Sequence, residues 1–103
     1  MNIVLSKDSA NTLIELRDSK AKVRLEKAID ELGERGLSAS NIEKLSDLKN
    51  GFRKRVGRYR ILFTVEQIKE IIYVWIIEIK KDSKKDYRKW INYIKIHLQK
   101  TKR

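Results

Sequence analysis

The stretch Phe52-Arg-Lys-Arg-Val-Gly-Arg-Tyr-Arg-Ile-Leu-Phe-Thr-Val65 decides how the rest of the chain reads. Alternation of apolar and basic residues with period two predicts two strands, and Gly57 supplies a tight turn between them. Phe52, Lys54 and Val56 fall on one side of the first strand, Arg53 and Arg55 on the other. In the second strand Tyr59, Ile61, Phe63 and Val65 share a side, and Arg60, Leu62 and Thr64 share the opposite one. Arg53, Lys54, Arg55, Arg58 and Arg60 are crowded together with no acid among them. Like charges on one sheet face repel, so stability alone does not favour this arrangement. A surface that meets a polyanion does.

The remaining charge follows the same logic. Residues 49–65 carry six Lys/Arg and no Asp/Glu, and residues 80–103 carry ten against Asp82 and Asp86. The formal net charge is +11, so the rest of the chain is slightly acidic. The basicity sits on the hairpin and the C-terminal segment, and nucleic acid or an acidic protein is the expected partner. The 103 residues make one domain, 1–103, able to bury about two-thirds of its unfolded surface. With no cysteine there are no disulfides or thiolate metal sites, which fits the cytoplasm. The longest apolar run, Ile71 to Ile77, falls far short of a membrane span, and no signal peptide is evident.

Outward from the hairpin the elements are predicted as follows. Asn2–Leu5 is a short first strand. Ser6 is an N-cap for a helix to about Arg17, and Asp18-Ser19 breaks and recaps it. A second helix runs from about Lys20 to Leu32, with Ala21, Leu25, Ala28, Ile29 and Leu32 on one face. Gly33 or Gly36 ends it. Residues 37–51 hold at most one helical turn pinned by Ile42, Leu45 and Leu48, and Asn50-Gly51 turns into the hairpin. Glu70–Ile79 is nearly all apolar, the pattern of a central strand covered on both faces. A last helix from about Lys84 to Gln99 carries the stripe Tyr87, Trp90, Ile91, Ile94, Leu98 that would cover the second face. The fold class is α+β, in the order β-α-α-β-β-β-α, with an N-terminal helical hairpin packed on a small antiparallel sheet.

Most catalytic templates fail on these residues. His97 is the single histidine and reads as a solvated helix residue. Glu78, alone in an apolar strand, reads as a satisfied carboxylate rather than a general base, and Trp75 reads as core. There is no metal-ligand cluster, phosphate loop or dinucleotide turn, so neither metal nor organic cofactor is expected. Arg, Lys and Tyr remain, and these suffice for one reaction. RNA carries its own nucleophile, the 2′-hydroxyl, beside the scissile phosphate. Cations stabilise the phosphorane, and a Lys or Tyr set among cations has its pKa pushed down towards proton-transfer range.

The run Leu45-x-x-Leu48-Lys-Asn-Gly-Phe-Arg-Lys-Arg-Val-Gly-Arg-Tyr-Arg-Ile-Leu-Phe63, then an apolar strand, then Ile79-Lys-Lys-Asp-Ser-Lys-Lys-Asp-Tyr87, resembles the RelE/ParE toxin superfamily. The resemblance spans nearly the whole chain in element order. Its RelE branch implies the toxin of a type II toxin–antitoxin pair: a ribosome-dependent, metal-independent mRNA endoribonuclease inhibited by a cognate antitoxin. The implied partners are therefore the antitoxin, the ribosome and mRNA. Carried over position by position, Arg60 faces the scissile phosphate. Lys81 stands where the family usually has an arginine, and Tyr87 stacks on a base or helps move a proton. Arg53 and Arg55 match basic residues of the preceding strand. Lys54, Arg58, Lys84, Lys85 and Arg88 join them as RNA contacts. Two other readings stand beside this one. The first is a ParE-like protein that poisons DNA gyrase, and the second is a basic RNA-binding module without chemistry.

Overall fold

A computed structural model of the chain describes residues 1–79 and 87–101. The elements are β1 (Asn2–Leu5), α1 (Lys7–Glu15), α2 (Ser19–Arg35), a 3-10 turn (Gly36–Ser38), β2 (Ile42–Lys44), β3 (Gly51–Val56), β4 (Tyr59–Glu66), β5 (Ile71–Ile79) and α3 (Arg88–Thr101). The strands form one sheet in the order β1-β5-β4-β3-β2. β2 through β5 pair antiparallel, and β1 adds to β5 in parallel. The expected α+β arrangement, with its helical hairpin on the sheet, is present. The parallel β1 and the additional strand β2 are departures from the sequence reading. A three-residue edge strand in Asn41-Ile-Glu-Lys44 is too short to produce a readable alternation.

The local signals in the N-terminal half act as expected. Ser6 caps α1, its hydroxyl oxygen accepting from the Ser9 N–H at 3.0 Å. Asp18 caps α2 by accepting from the Lys20 and Ala21 N–H groups. Gly36, at φ +57°, ends α2 one turn later than the sequence reading placed its last residue. Asn50 takes the left-handed conformation at φ 56°, and Gly51 opens β3. A Cβ on Gly51 would lie 2.5 Å from the Leu48 side chain, so glycine is dictated there by packing rather than by a positive φ.

Two apolar layers flank the sheet. On one side Leu13, Leu25, Ile29 and Leu32 of the helical hairpin meet Ile61, Phe63, Val65, Ile72 and Val74. On the other, Ile91 and Ile94 of α3, with Tyr87, meet Leu62, Trp75, Ile76, Leu45 and Leu48. β5 is therefore covered on both faces, which accounts for its nearly unbroken apolar run. The β4–β5 register shifts between Leu62 and Phe63: Leu62 pairs with Ile76 while Phe63 pairs with Val74. The extra residue is Trp75, so Trp75 and Ile76 both belong to the α3 layer. The start of α1 bonds to β5 beside the irregularity, where Val74 O also accepts from the Ser6 N–H at 2.9 Å. The Ser6 hydroxyl donates to Trp75 O at 2.7 Å, and the fully buried Ser9 hydroxyl donates to Val74 O at 3.0 Å.

α3 begins at Arg88, and the Tyr87 carbonyl accepts from the Ile91 N–H at 2.8 Å. Tyr87 thus precedes the helix instead of lying inside it. The expected start of this helix near Lys84 lies outside the described residues. His97 is not the solvated residue expected. It is half-buried, its ring 4.1 Å from that of Tyr93 and 6.1 Å from that of Trp75, and its Nδ1 lies 2.9 Å from Tyr93 O. No described helix is long and apolar enough to cross a membrane.

Candidate active site

Strand register defines what shares a face. Glu43, Arg53, Leu62 and Ile76 stand opposite one another across β2, β3, β4 and β5, and Leu62 and Ile76 belong to the α3 layer. The neighbouring row on the same face is Arg55, Arg60 and Glu78. Successive same-face residues on paired strands sit within reach of long side chains. Arg53, Arg55 and Arg60 therefore share the face of the sheet that the alternation assigned to them, away from the helical hairpin.

Arg53 is buried, at 6% exposure, and held from two sides. Its Nη1 donates to the Tyr87 hydroxyl at 3.2 Å, and its Nη2 donates to Glu43 Oε2 in a close ion pair. The guanidinium carbon lies 5.5 Å from the centre of the Tyr87 ring. Burial disfavours its charged form, but Glu43 and Tyr87 more than offset that, and its pKa is raised. Tyr87 is itself 5% exposed. Arg53 and Tyr87, far apart in sequence, form one fixed unit.

Arg60 is half-buried. Its Nη1 donates to the carbonyls of Gly57 and Tyr59, each at 2.8 Å, so the guanidinium is curled over the hairpin turn. Its buried Nε has no hydrogen-bond partner among the described residues. Glu78 is opposite Arg60 in register, yet its carboxylate accepts a close hydrogen bond from Trp90 Nε1 and makes no ion pair with Arg60. This agrees with the reading of Glu78 as a satisfied carboxylate. Arg55, Arg58 and Arg88 are exposed. Lys81, Lys84 and Lys85 lie outside the described residues.

Lys54 is on the other face. It is 2% exposed, and its Nζ donates to Glu31 Oε1 at 2.7 Å and to Ser40 O at 2.6 Å. The sequence reading grouped Lys54 with Arg53 as an RNA contact. The alternation put it beside Phe52 and Val56, and there the structure places it, away from the Arg53–Arg60 face. The hydrogen bond from Lys54 is the main reason that the Glu31 pKa lies below the usual carboxylate value.

Sequence reasoning missed Glu43, because it sits in the unread strand β2. Its side chain is 62% exposed while anchored to Arg53, which makes it an acid beside the cationic face. Neither of two surface cavities, each of about 430 Å3, is lined by Arg60 or Tyr87. Among the described residues no group of three His, Asp or Glu could hold a metal ion.

This architecture can be compared with known proteins. No protein-family model and no curated protein sequence matches the chain. Solved structures do match, and they define its class: it has the fold of the RelE toxins. It superposes on a chain of the archaeal RelE–RelB complex from Pyrococcus horikoshii OT3 with a TM-score of 0.69 at 17% identity, covering 80% of this chain and 97% of that one. With the isolated Escherichia coli RelE toxin the TM-score is 0.67 at 18% identity, over 90% and 97% of the two chains. With the RelB–RelE antitoxin–toxin complex from Methanococcus jannaschii it is 0.64 at 22% identity, over 76% and 91%.

Proposed function

We propose that the chain is the toxin of a type II toxin–antitoxin pair, acting in the cytoplasm as an mRNA endoribonuclease on translating ribosomes. The observation that carries this reading is the pairing of Arg60, whose buried Nε has no described partner, with the fixed Arg53–Tyr87 unit on the same sheet face. A buried cationic donor calls for an acceptor, and a phosphate oxygen is a fitting one. In the proposed reaction the 2′-hydroxyl gives up its proton to solvent as its oxygen attacks the adjacent phosphorus, the P–O5′ bond breaks, and the leaving O5′ takes a proton from solvent, so that a 2′,3′-cyclic phosphate and a 5′-hydroxyl result. Arg60 uncurls from the turn to hold the phosphorane charge, and Lys81 supplies a second cation to it. Tyr87 keeps Arg53 aimed at the same phosphate. The exposed Arg55, Arg58 and Arg88, with Lys84 and Lys85, hold flanking phosphates. A cognate antitoxin inhibits by covering this face with acidic or helical segments; two of the structures with this fold are toxin–antitoxin complexes.

The test is a purified translation reaction in which mRNA ends are mapped by primer extension. The chain should cut mRNA on ribosomes, and Arg60→Ala should slow cutting about 100-fold or more, the usual cost of removing one transition-state charge donor. Intact mRNA together with inhibited gyrase supercoiling would replace this reading with the gyrase-directed one.

A further inference from the structure

A second cationic feature lies on the opposite side of the sheet. Between α2 and the β3 edge runs an open groove of about 430 Å3, lined by Arg24, Lys27, Glu31, Asn41, Lys54 and Arg55 among others. Glu31 is the one acid in its lining, and Lys54 neutralises it. Arg24, Lys27 and Arg55 are exposed and make no ion pair among the described residues. Lys54 adds a less ordinary feature. An ammonium has three donors. Two of them reach Glu31 and Ser40, and the third has no partner among the described residues, although the side chain is almost fully buried.

The end of the groove is shaped by Gly57. A Cβ there would lie 3.0 Å from Arg24 Nη2 and 3.2 Å from Nη1, so the guanidinium packs directly on the turn. Glycine thus lets α2 bring a cation to the same turn that carries Arg55 and Arg58. Ala28 and Val56 are the only apolar side chains in its lining. That is too little to seat an amphipathic helix, which needs several anchors along one face. Two uncompensated cations on α2, Arg24 and Lys27, a spare buried ammonium donor and the Asn41 amide suit the oxygens of a phosphodiester backbone better; Arg55 borders the groove while its strand position belongs to the Arg60 face.

We propose that this groove is a backbone-phosphate site for nucleic acid, separate from the Arg60–Tyr87 face, so that the hairpin is gripped on both sides of the sheet. The proposal concerns binding and does not depend on cleavage. It is tested by fluorescence anisotropy with a labelled hairpin of 2′-O-methyl RNA, which lacks the nucleophile and cannot be cut, and a DNA hairpin of the same sequence. For the full chain carrying Arg24→Ala and Lys27→Ala, affinity for the RNA hairpin at low salt should fall about tenfold. The slope of log affinity against log salt should flatten by roughly 1.5, as for two lost phosphate contacts. An equal loss on DNA supports a site that reads phosphate alone, and a loss confined to RNA supports one that also reads backbone shape. Both substitutions are on an exposed helix face, where alanine is well tolerated. The control Lys7→Ala with Lys69→Ala removes the same charge far from the groove and should change affinity less than twofold. An unchanged affinity and slope in the groove variant would overturn the proposal. So would an equal loss in the control.

Discussion

Arg53 and Tyr87 are bonded to each other, guanidinium to phenol at 3.2 Å, with the guanidinium carbon 5.5 Å from the centre of the ring. Both are buried, and they come from a strand and from the residue preceding the last helix. The contact docks the entry to α3 on β3, so it ties fold to site. A double-mutant cycle of Arg53→Met and Tyr87→Phe, followed by urea unfolding, should give a coupling of about 1.5 kcal/mol, the low end for a hydrogen bond to a charged group. Additive losses would mean that the contact contributes nothing.

The Lys54–Glu31 pair fixes the helical hairpin to β3 and makes stability depend on acid. The folded pKa of Glu31 lies below its ordinary 4.5, so the unfolded chain binds the proton more readily. The stabilisation is complete above the unfolded value and is lost as pH falls through the folded one. Glu31→Gln should therefore lower the melting temperature at pH 7 and flatten the decline of wild-type stability below about pH 4.5. Parallel acid limbs for wild type and variant would contradict this.

Gly57 has φ +59° with Arg24 packed on it. Gly57→Ala meets a backbone region unfavourable to L residues and pushes that guanidinium away. A loss of about 1–2 kcal/mol in chemical unfolding is expected. Unchanged stability would show that the turn relaxes at no cost.

The Ser9 hydroxyl serves a β5 carbonyl at the Trp75 irregularity, inside the core. Ser9→Ala should cost about 1 kcal/mol, and its near-UV circular dichroism should report a changed Trp75 environment. A neutral substitution with an unchanged spectrum would remove that role.

The elements read most easily from sequence were those with strong periodicity or capping chemistry. Ser6, Asp18 and Gly36 bound helices whose apolar stripes repeat at helical spacing, and β5 announced its two-sided burial by composition. β2 was not legible because three residues carry no period, and Glu43 was lost with it. The Trp75 irregularity was also hidden, since an all-apolar strand has no alternation to break. For the site, alternation placed Arg53, Arg55 and Arg60 on one face. It could not show that Glu43 and Tyr87 already hold Arg53, because those partners are ten and 34 residues away. Lys54 was legible as a helix-facing residue.

At the Arg60 face RNA supplies its own nucleophile. The most direct measurement places a single 2′-deoxynucleotide in an mRNA at the nucleotide 5′ to a mapped cut and repeats the cleavage on ribosomes. Cutting at that position should disappear while cuts elsewhere persist, with products on unmodified mRNA ending in a 2′,3′-cyclic phosphate. Continued cutting at the deoxy position, or products ending in a 3′-hydroxyl, would contradict it.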